Sequence, residues 1–197
     1  MRARIFAEEN RKWWTLGAVA FGLFMIMLDN TVVFVALSSI QEDLQISTSE
    51  LQWVVNGYAL TFAVLMLSGG KLADMFGRRR IFIVGLVIFT AASLACGLAT
   101  GAESLIAARI VQGVGAALMN PATLSIITAT FPPRERGMAI GIWVGVSAMA
   151  LAIGPLVGGV ITEKINWSWI FFINIPVGIA GIIVARYAID ESRDESE

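Results

Sequence analysis

Apolar residues in this chain come in six long runs, at about 13–37, 51–69, 81–99, 104–127, 138–161 and 169–188, separated by short polar stretches. Each run is near the roughly 20 residues that an α-helix needs to cross the hydrocarbon core of a bilayer. The pattern predicts an all-α membrane protein of six transmembrane helices, flanked by a basic tail at 1–12 and a polar tail at 189–197. An even number of spans returns the chain to the side on which it started.

The polar stretches differ in charge. Residues 38–50 carry Glu42, Asp43 and Glu50 with no base, and 100–103 has only Glu103, whereas 70–80 carries Lys71, Arg78, Arg79 and Arg80 and 128–137 carries Arg134 and Arg136. The stretch 162–168 is balanced by Glu163 and Lys164, and the first tail holds Arg2, Arg4, Arg11 and Lys12 before Trp13 and Trp14. Basic residues in short loops mark the cytoplasmic side, so both termini are expected there, on the plasma membrane of a bacterium. Trp53, Trp167 and Trp169 fall at the opposite ends of their helices and are expected as interfacial anchors. The basic start of the chain is unlike a signal peptide, because no small-residue cleavage site follows and five more apolar segments do.

Composition narrows the function classes. With 57% hydrophobic and 15% charged residues, the chain departs from the usage of soluble domains. Cys96 is the single cysteine, which excludes a disulfide framework and a cysteine metal site, and the chain has no histidine to serve as near-neutral base or ligand. No nucleotide-binding glycine loop follows a strand and no nucleophile stands beside a base, so an enzyme, a cofactor and a metal are not expected. The bases are scattered among membrane-edge loops, which argues against nucleic acid as a partner.

Polar groups inside the spans are the candidate functional residues, since a charge at the bilayer centre costs about 2.5–3.5 kcal/mol on insertion scales. Asp29, followed by Asn30, lies about eight residues from the outer end of the first run, and Arg109 about five from the outer end of the fourth, depths of roughly 12 and 8 Å. Gln112 shares a helical face with Arg109 at the i, i+3 spacing. A structural ion pair is the simpler alternative to a working one. Glycines at Gly141, Gly145, Gly154, Gly158 and Gly159 make a smooth face on the fifth run, which Pro155 bends by removing a hydrogen bond. In the charged stretch, Gly70 allows a close helix approach and Gly77 a tight turn.

Several of these stretches resemble the major facilitator superfamily. Gly70-Lys71-Leu72-Ala73-Asp74-Met75-Phe76-Gly77-Arg78-Arg79-Arg80 is similar to that family's loop between helices 2 and 3, and Arg109-Ile110-Val111-Gln112-Gly113-Val114-Gly115-Ala116-Ala117 to its helix 4 motif. Leu28-Asp29-Asn30-Thr31 through Ile40 resembles the helix 1 signature of the drug:proton antiporter branch with fourteen spans, with Phe34 in place of a polar residue and Ser38 in place of proline. Gly154-Pro155 followed by Gly158-Gly159 resembles the antiporter motif of helix 5, Ala150 standing for a further glycine. Trp167-Ser168-Trp169 through Gly178 resembles the start of helix 6, with Ser168 for arginine.

The resemblance implies two inverted three-helix repeats in which helices 1 and 4 correspond and line a central cavity. It implies that Asp29, Asn30, Arg109 and Gln112 serve proton coupling and the substrate cavity, and that Gly70, Asp74, Gly77, Arg78 and Arg79 form a cytoplasmic gate, with Asp74 capping a helix of the other half. Gly154, Pro155, Gly158 and Gly159 would form a sliding face. Members of the family are more than twice as long, with a second half, so the partner expected here is a missing C-terminal half of six to eight helices or a second copy. The expected function is the N-terminal domain of a proton-coupled exporter of lipophilic or cationic drugs, driven by the proton gradient without a cofactor. A truncated or regulatory half with no transport of its own is the alternative.

Overall fold

The computed structural model describes residues 8–193. Arg2 and Arg4 of the basic tail and residues 194–197 of the polar tail lie outside the described residues. The described chain is helical throughout, without strands, and six of its helical stretches are long and apolar enough to cross a membrane.

Helix α1 (Glu8–Leu44) ends where Gln45 turns left-handed at φ 52°. Ser47 then caps α2 (Thr48–Phe76): its hydroxyl accepts from the Glu50 N–H while the Glu50 carboxylate accepts from the Ser47 N–H at 2.7 Å, a reciprocal box that fixes the helix start. Gly77, at φ 111°, separates α2 from α3 (Arg78–Gly97). Helix α4 (Ala102–Thr130) is followed after two residues by α5 (Pro133–Lys164), whose first position holds a proline that has no N–H to leave unpaired. The sixth span is broken into α6 (Trp169–Phe172) and α7 (Asn174–Ala188). Pro176 explains the break: it cannot donate to the Phe172 carbonyl and its ring crowds that oxygen, so the helix restarts.

The helices overrun the expected loops. Residues 38–44 continue α1, residues 70–76 continue α2, and 133–137 already belong to α5, because the end of an apolar run marks where the hydrocarbon stops, not where backbone hydrogen bonding stops. Gly70 is therefore a helix residue beside Pro121 of α4, and Gly77 alone makes the turn expected at 70–80.

The packing repeats itself. Helix α1 runs along α5 as α4 runs along α2, while α3 and the sixth span cover α4 and α1 respectively and meet each other. Exchanging α1–α3 with α4–α7 reproduces this pattern, which is the arrangement of two three-helix repeats. Small residues set the distances. A Cβ on Gly113 would stand 2.7 Å from the Tyr58 carbonyl of α2, and one on Gly115 2.6 Å from the Phe89 nitrogen of α3, so α4 is held against both helices by backbone contact. Helices α1 and α4 are consequently mostly covered, whereas only 17% of the apolar window of α2, and of α5, is buried.

Candidate functional site

The buried middle of the bundle holds a closed polar network. Asp29 projects from α1 and is 0% exposed; Arg109 projects from α4 and is 1% exposed. Arg109 Nη1 donates to Asp29 Oδ2 and to Gln112 Oε1, both at 2.6 Å, and its Nε donates to the Val54 carbonyl of α2 at 3.2 Å. The other carboxylate oxygen, Asp29 Oδ1, accepts from Gln112 Nε2 at 2.9 Å and from Asn174 Nδ2 of α7 at 3.2 Å. Ser93 of α3 joins the two amides: its hydroxyl donates to the Phe89 carbonyl and accepts from Gln112 at 2.8 Å and Asn174 at 3.3 Å. The guanidinium lies over the Tyr58 ring of α2 at 4.1 Å.

This arrangement can hold one negative and one positive charge in an apolar interior with their hydrogen bonds met, the condition under which a buried ion pair is tolerated. It also couples α1 to α4, the two inner helices, through a single carboxylate. A proton on Asp29 would cancel its half of the attraction and leave Arg109 held by Gln112 and the Val54 carbonyl.

The structure brings Asp29, Arg109 and Gln112 together and leaves Asn30 aside, its Nδ2 donating to the Ile26 carbonyl at 2.9 Å. The three residues are buried between α1 and α4, in contact with α2, α3 and α7. Sequence reasoning missed Ser93 and Asn174. Both are polar residues within apolar runs, a signal masked by attention to formal charges.

A second constellation lies at the end of the bundle where α1 starts and α7 ends. Asp74 Oδ1 accepts from Arg78 Nε and Nη2, each at 2.9 Å, so the acid is taken by its own helix-turn neighbour. Below Gly77, the segment after α7 docks on the start of α3: the Arg78 N–H donates to the Ser192 carbonyl at 3.0 Å and the Arg79 N–H to Glu191 Oε1 at 3.1 Å. Glu191 faces Arg79 and Arg80 at 3.7 and 3.6 Å, Arg79 also reaches the Ile189 carbonyl, and on the other side Arg11 pairs with Asp190. The polar tail expected at 189–197 is thus, through residue 193, a strap across the ends of α1, α2 and α3. Acids at a helix N-terminus and opposite arginines account for its docking.

Two expectations are corrected. Gly154 and Gly158 do not share one open face with Pro155 and Gly159. A Cβ on Gly154 would collide with Thr31, and one on Gly158 would stand 3.1 Å from Val32, so these two seat α5 on α1, while Pro155 is exposed and Gly159 faces open space. The 100° step of the helix separates i from i+1 and joins i to i+4. Trp167 is 3% exposed and donates through Nε1 to Asp43 Oδ2 at 2.7 Å, tying the α5–α6 turn to α1, while Trp53 and Trp169 are half exposed, as anchors require. Among the described residues no group of three or more Cys, Asp or Glu could hold a metal ion.

Comparison with known proteins places these features in a wider set. The family model described as Major Facilitator Superfamily matches residues 19–197. An uncharacterized MFS-type transporter of Mycobacterium tuberculosis is 50% identical over 177 residues, covering 90% of this chain and 31% of the relative. The tetracenomycin C resistance and export protein of Streptomyces glaucescens is 42% identical over 187 residues, covering 95% of this chain and 35% of the relative. The chain therefore spans about a third of the length of these relatives. A solved structure of a peptide transporter, POT, superposes with a TM-score of 0.77 at 19% identity, over 90% of this chain and 37% of that one, a likeness of fold.

Proposed function

From the premise that the chain belongs to the Major Facilitator Superfamily, we propose that it forms the N-terminal half of a proton-coupled exporter of lipophilic or cationic compounds. The observation that carries this reading is the Asp29–Arg109 pair, a carboxylate sealed at mid-bundle and shared between the two inner helices. Relatives named for drug resistance and export support the direction of transport and the class of cargo.

In this reading Asp29 binds a proton in one state and pairs with Arg109 in the other, and Gln112 follows whichever partner is free. Protonation loosens α1 from α4 and shifts the balance between inward and outward states, so that proton flow is linked to export. Asp74 with Arg78, together with Gly70, Gly77 and Arg79, belongs to the gate at the end where α1 starts and α7 ends, and the bases of α2, α3 and α5 support a cytoplasmic position for it. The open faces of α2 and α5 receive the second half of the transporter, and Pro155 and Gly159 lie on the part of α5 available to it.

Ethidium efflux from cells expressing this chain, with and without a collapsed proton gradient, tests the proposal. Gradient-dependent efflux in a host without related exporters supports transport by an assembled unit, a second copy supplying the other half. Absence of efflux from a properly inserted chain favours the alternative, a half without transport of its own, suggested by the span of a third of the relatives' length.

A further inference from the structure

Arg109 is held by more than its carboxylate. Its guanidinium carbon lies 4.1 Å from the centre of the Tyr58 ring of α2 and 5.9 Å from that of the Phe171 ring of α6. Both rings are within the reach of about 6 Å at which an aromatic ring attracts a cation, and both are buried, where the attraction is strongest. The rings are fixed in turn, Tyr58 by Phe62 stacked at 6.2 Å and Phe171 by Trp167 edge-on at 6.3 Å. It is the ring of Tyr58 that lies against the guanidinium; its hydroxyl stands beside the Asn30 side chain of α1. Helix α2 also supplies the Val54 carbonyl, one helical turn before Tyr58, as acceptor for Arg109 Nε.

The two members of the ion pair belong to different packing units. A Cβ on Gly113, one turn from Arg109 on α4, would stand 2.7 Å from the Tyr58 carbonyl, so backbone contact locks the ring and the arginine into one unit. Asp29 lies on α1, which Thr31 and Val32 seat against Gly154 and Gly158 of α5. Helix α1 meets α4 through side chains, the Met119 methyl standing 3.3 Å from where a Cβ on Gly22 would lie. An opening between α1 and α4 therefore carries the carboxylate away and leaves Arg109 with the Val54 carbonyl and the Tyr58 ring.

Resting on Asp29 as the proton carrier, we propose that Tyr58 and Phe171 are positioning residues that keep Arg109 in place when Asp29 takes a proton, so that the pair opens by departure of the carboxyl group. Without the rings, a cation whose carboxylate had been neutralised would keep only two neutral oxygens, those of Val54 and Gln112, in an apolar interior. With them the arginine stays where the carboxylate returns once the proton leaves. The titratable and charged groups that face Asp29 are Arg109 from α4, Tyr58 from α2 and Cys96 from α3. Helix α7 contributes the neutral Asn174, and the charged residues of α5 lie at its two ends.

Two signals followed across pH, on the chain inserted in lipid nanodiscs, test this. One is the infrared carboxyl band of Asp29, assigned with Asp29→Asn; the other is the magnetic resonance of the Arg109 Nε–H, assigned with Arg109→Lys. As the carboxyl band rises, the arginine resonance should stay single and sharp, and its loss in step with the band would overturn the proposal. Asp29→Asn, which fixes the neutral state, should keep the resonance, and adding Tyr58→Phe should keep it too, because the ring remains. Adding Tyr58→Leu or Phe171→Leu instead should broaden it beyond detection as the side chain exchanges between positions. The same leucine substitutions with Asp29 intact should leave it visible, which separates loss of holding from loss of fold. An unchanged resonance in both double variants would overturn the role of the rings. A carboxyl band that never titrates would instead remove Asp29 as the proton carrier, whatever the double variants show, and the role that rests on it.

Discussion

The Asp29 carboxylate is stabilised by three donors from two helices, Arg109, Gln112 and Asn174, and each donor has a further role in the network. Removing one partner of a buried pair leaves the other charge uncompensated, so Arg109→Ala should lower the unfolding free energy by about 3–5 kcal/mol, read from thermal unfolding in detergent. Asp29→Asn, which keeps the shape and the hydrogen-bonding capacity of the site, should insert normally. The charged members of this network were legible in the sequence, because an acid and a base in apolar runs announce themselves through their insertion cost. Ser93 and Asn174 were not, since hydroxyls and amides are common in membrane helices and nothing in the spacing of residues 29, 93, 109 and 174 brings them to one point. That convergence is a property of the packed bundle.

Among the elements, the six apolar runs gave the number and order of spans, and the helices extend past the ends of those runs by up to about two turns. Hydropathy follows the lipid, whereas caps and turns follow backbone chemistry: Ser47 with Glu50, Gln45 and Gly77 set the ends of α1 and α2. Gly77 has a positive φ and the Glu191 side chain beneath it, so Gly77→Ala should destabilise by about 1–3 kcal/mol and loosen the docked segment 189–193, detectable as faster amide exchange at Arg78 and Arg79. Gly115→Val places a branched side chain against the α3 backbone, and overpacking of this kind should cost at least about 1–3 kcal/mol, with the α3–α4 contact the first to open. The strap itself escaped the sequence reading because residues 189–193 look like any charged tail until the arginines of α3 are placed beside them.

For the whole molecule, the repeat packing leaves α1 and α4 covered and α2 and α5 open, and in the proposed function a second half covers those open faces. The charge asymmetry of the two ends sets the expected orientation. With Cys96 buried, a cysteine at Glu103 should be labelled by an impermeant maleimide in intact cells and one at Arg134 should not. The reverse pattern would place the termini outside. Family and fold were legible from the motifs because each motif lies on the helix that its chemistry requires; cargo was not, because no ordered set of polar contacts in the sequence singles out one ligand.

The central claim is that Asp29 links proton movement to transport. Proton release on ethidium binding to the assembled, solubilised transporter, followed with a pH indicator in weakly buffered solution, tests it most directly. The account predicts release from the unmodified protein and none from Asp29→Asn, with binding retained in both. Equal release from the two proteins would contradict it.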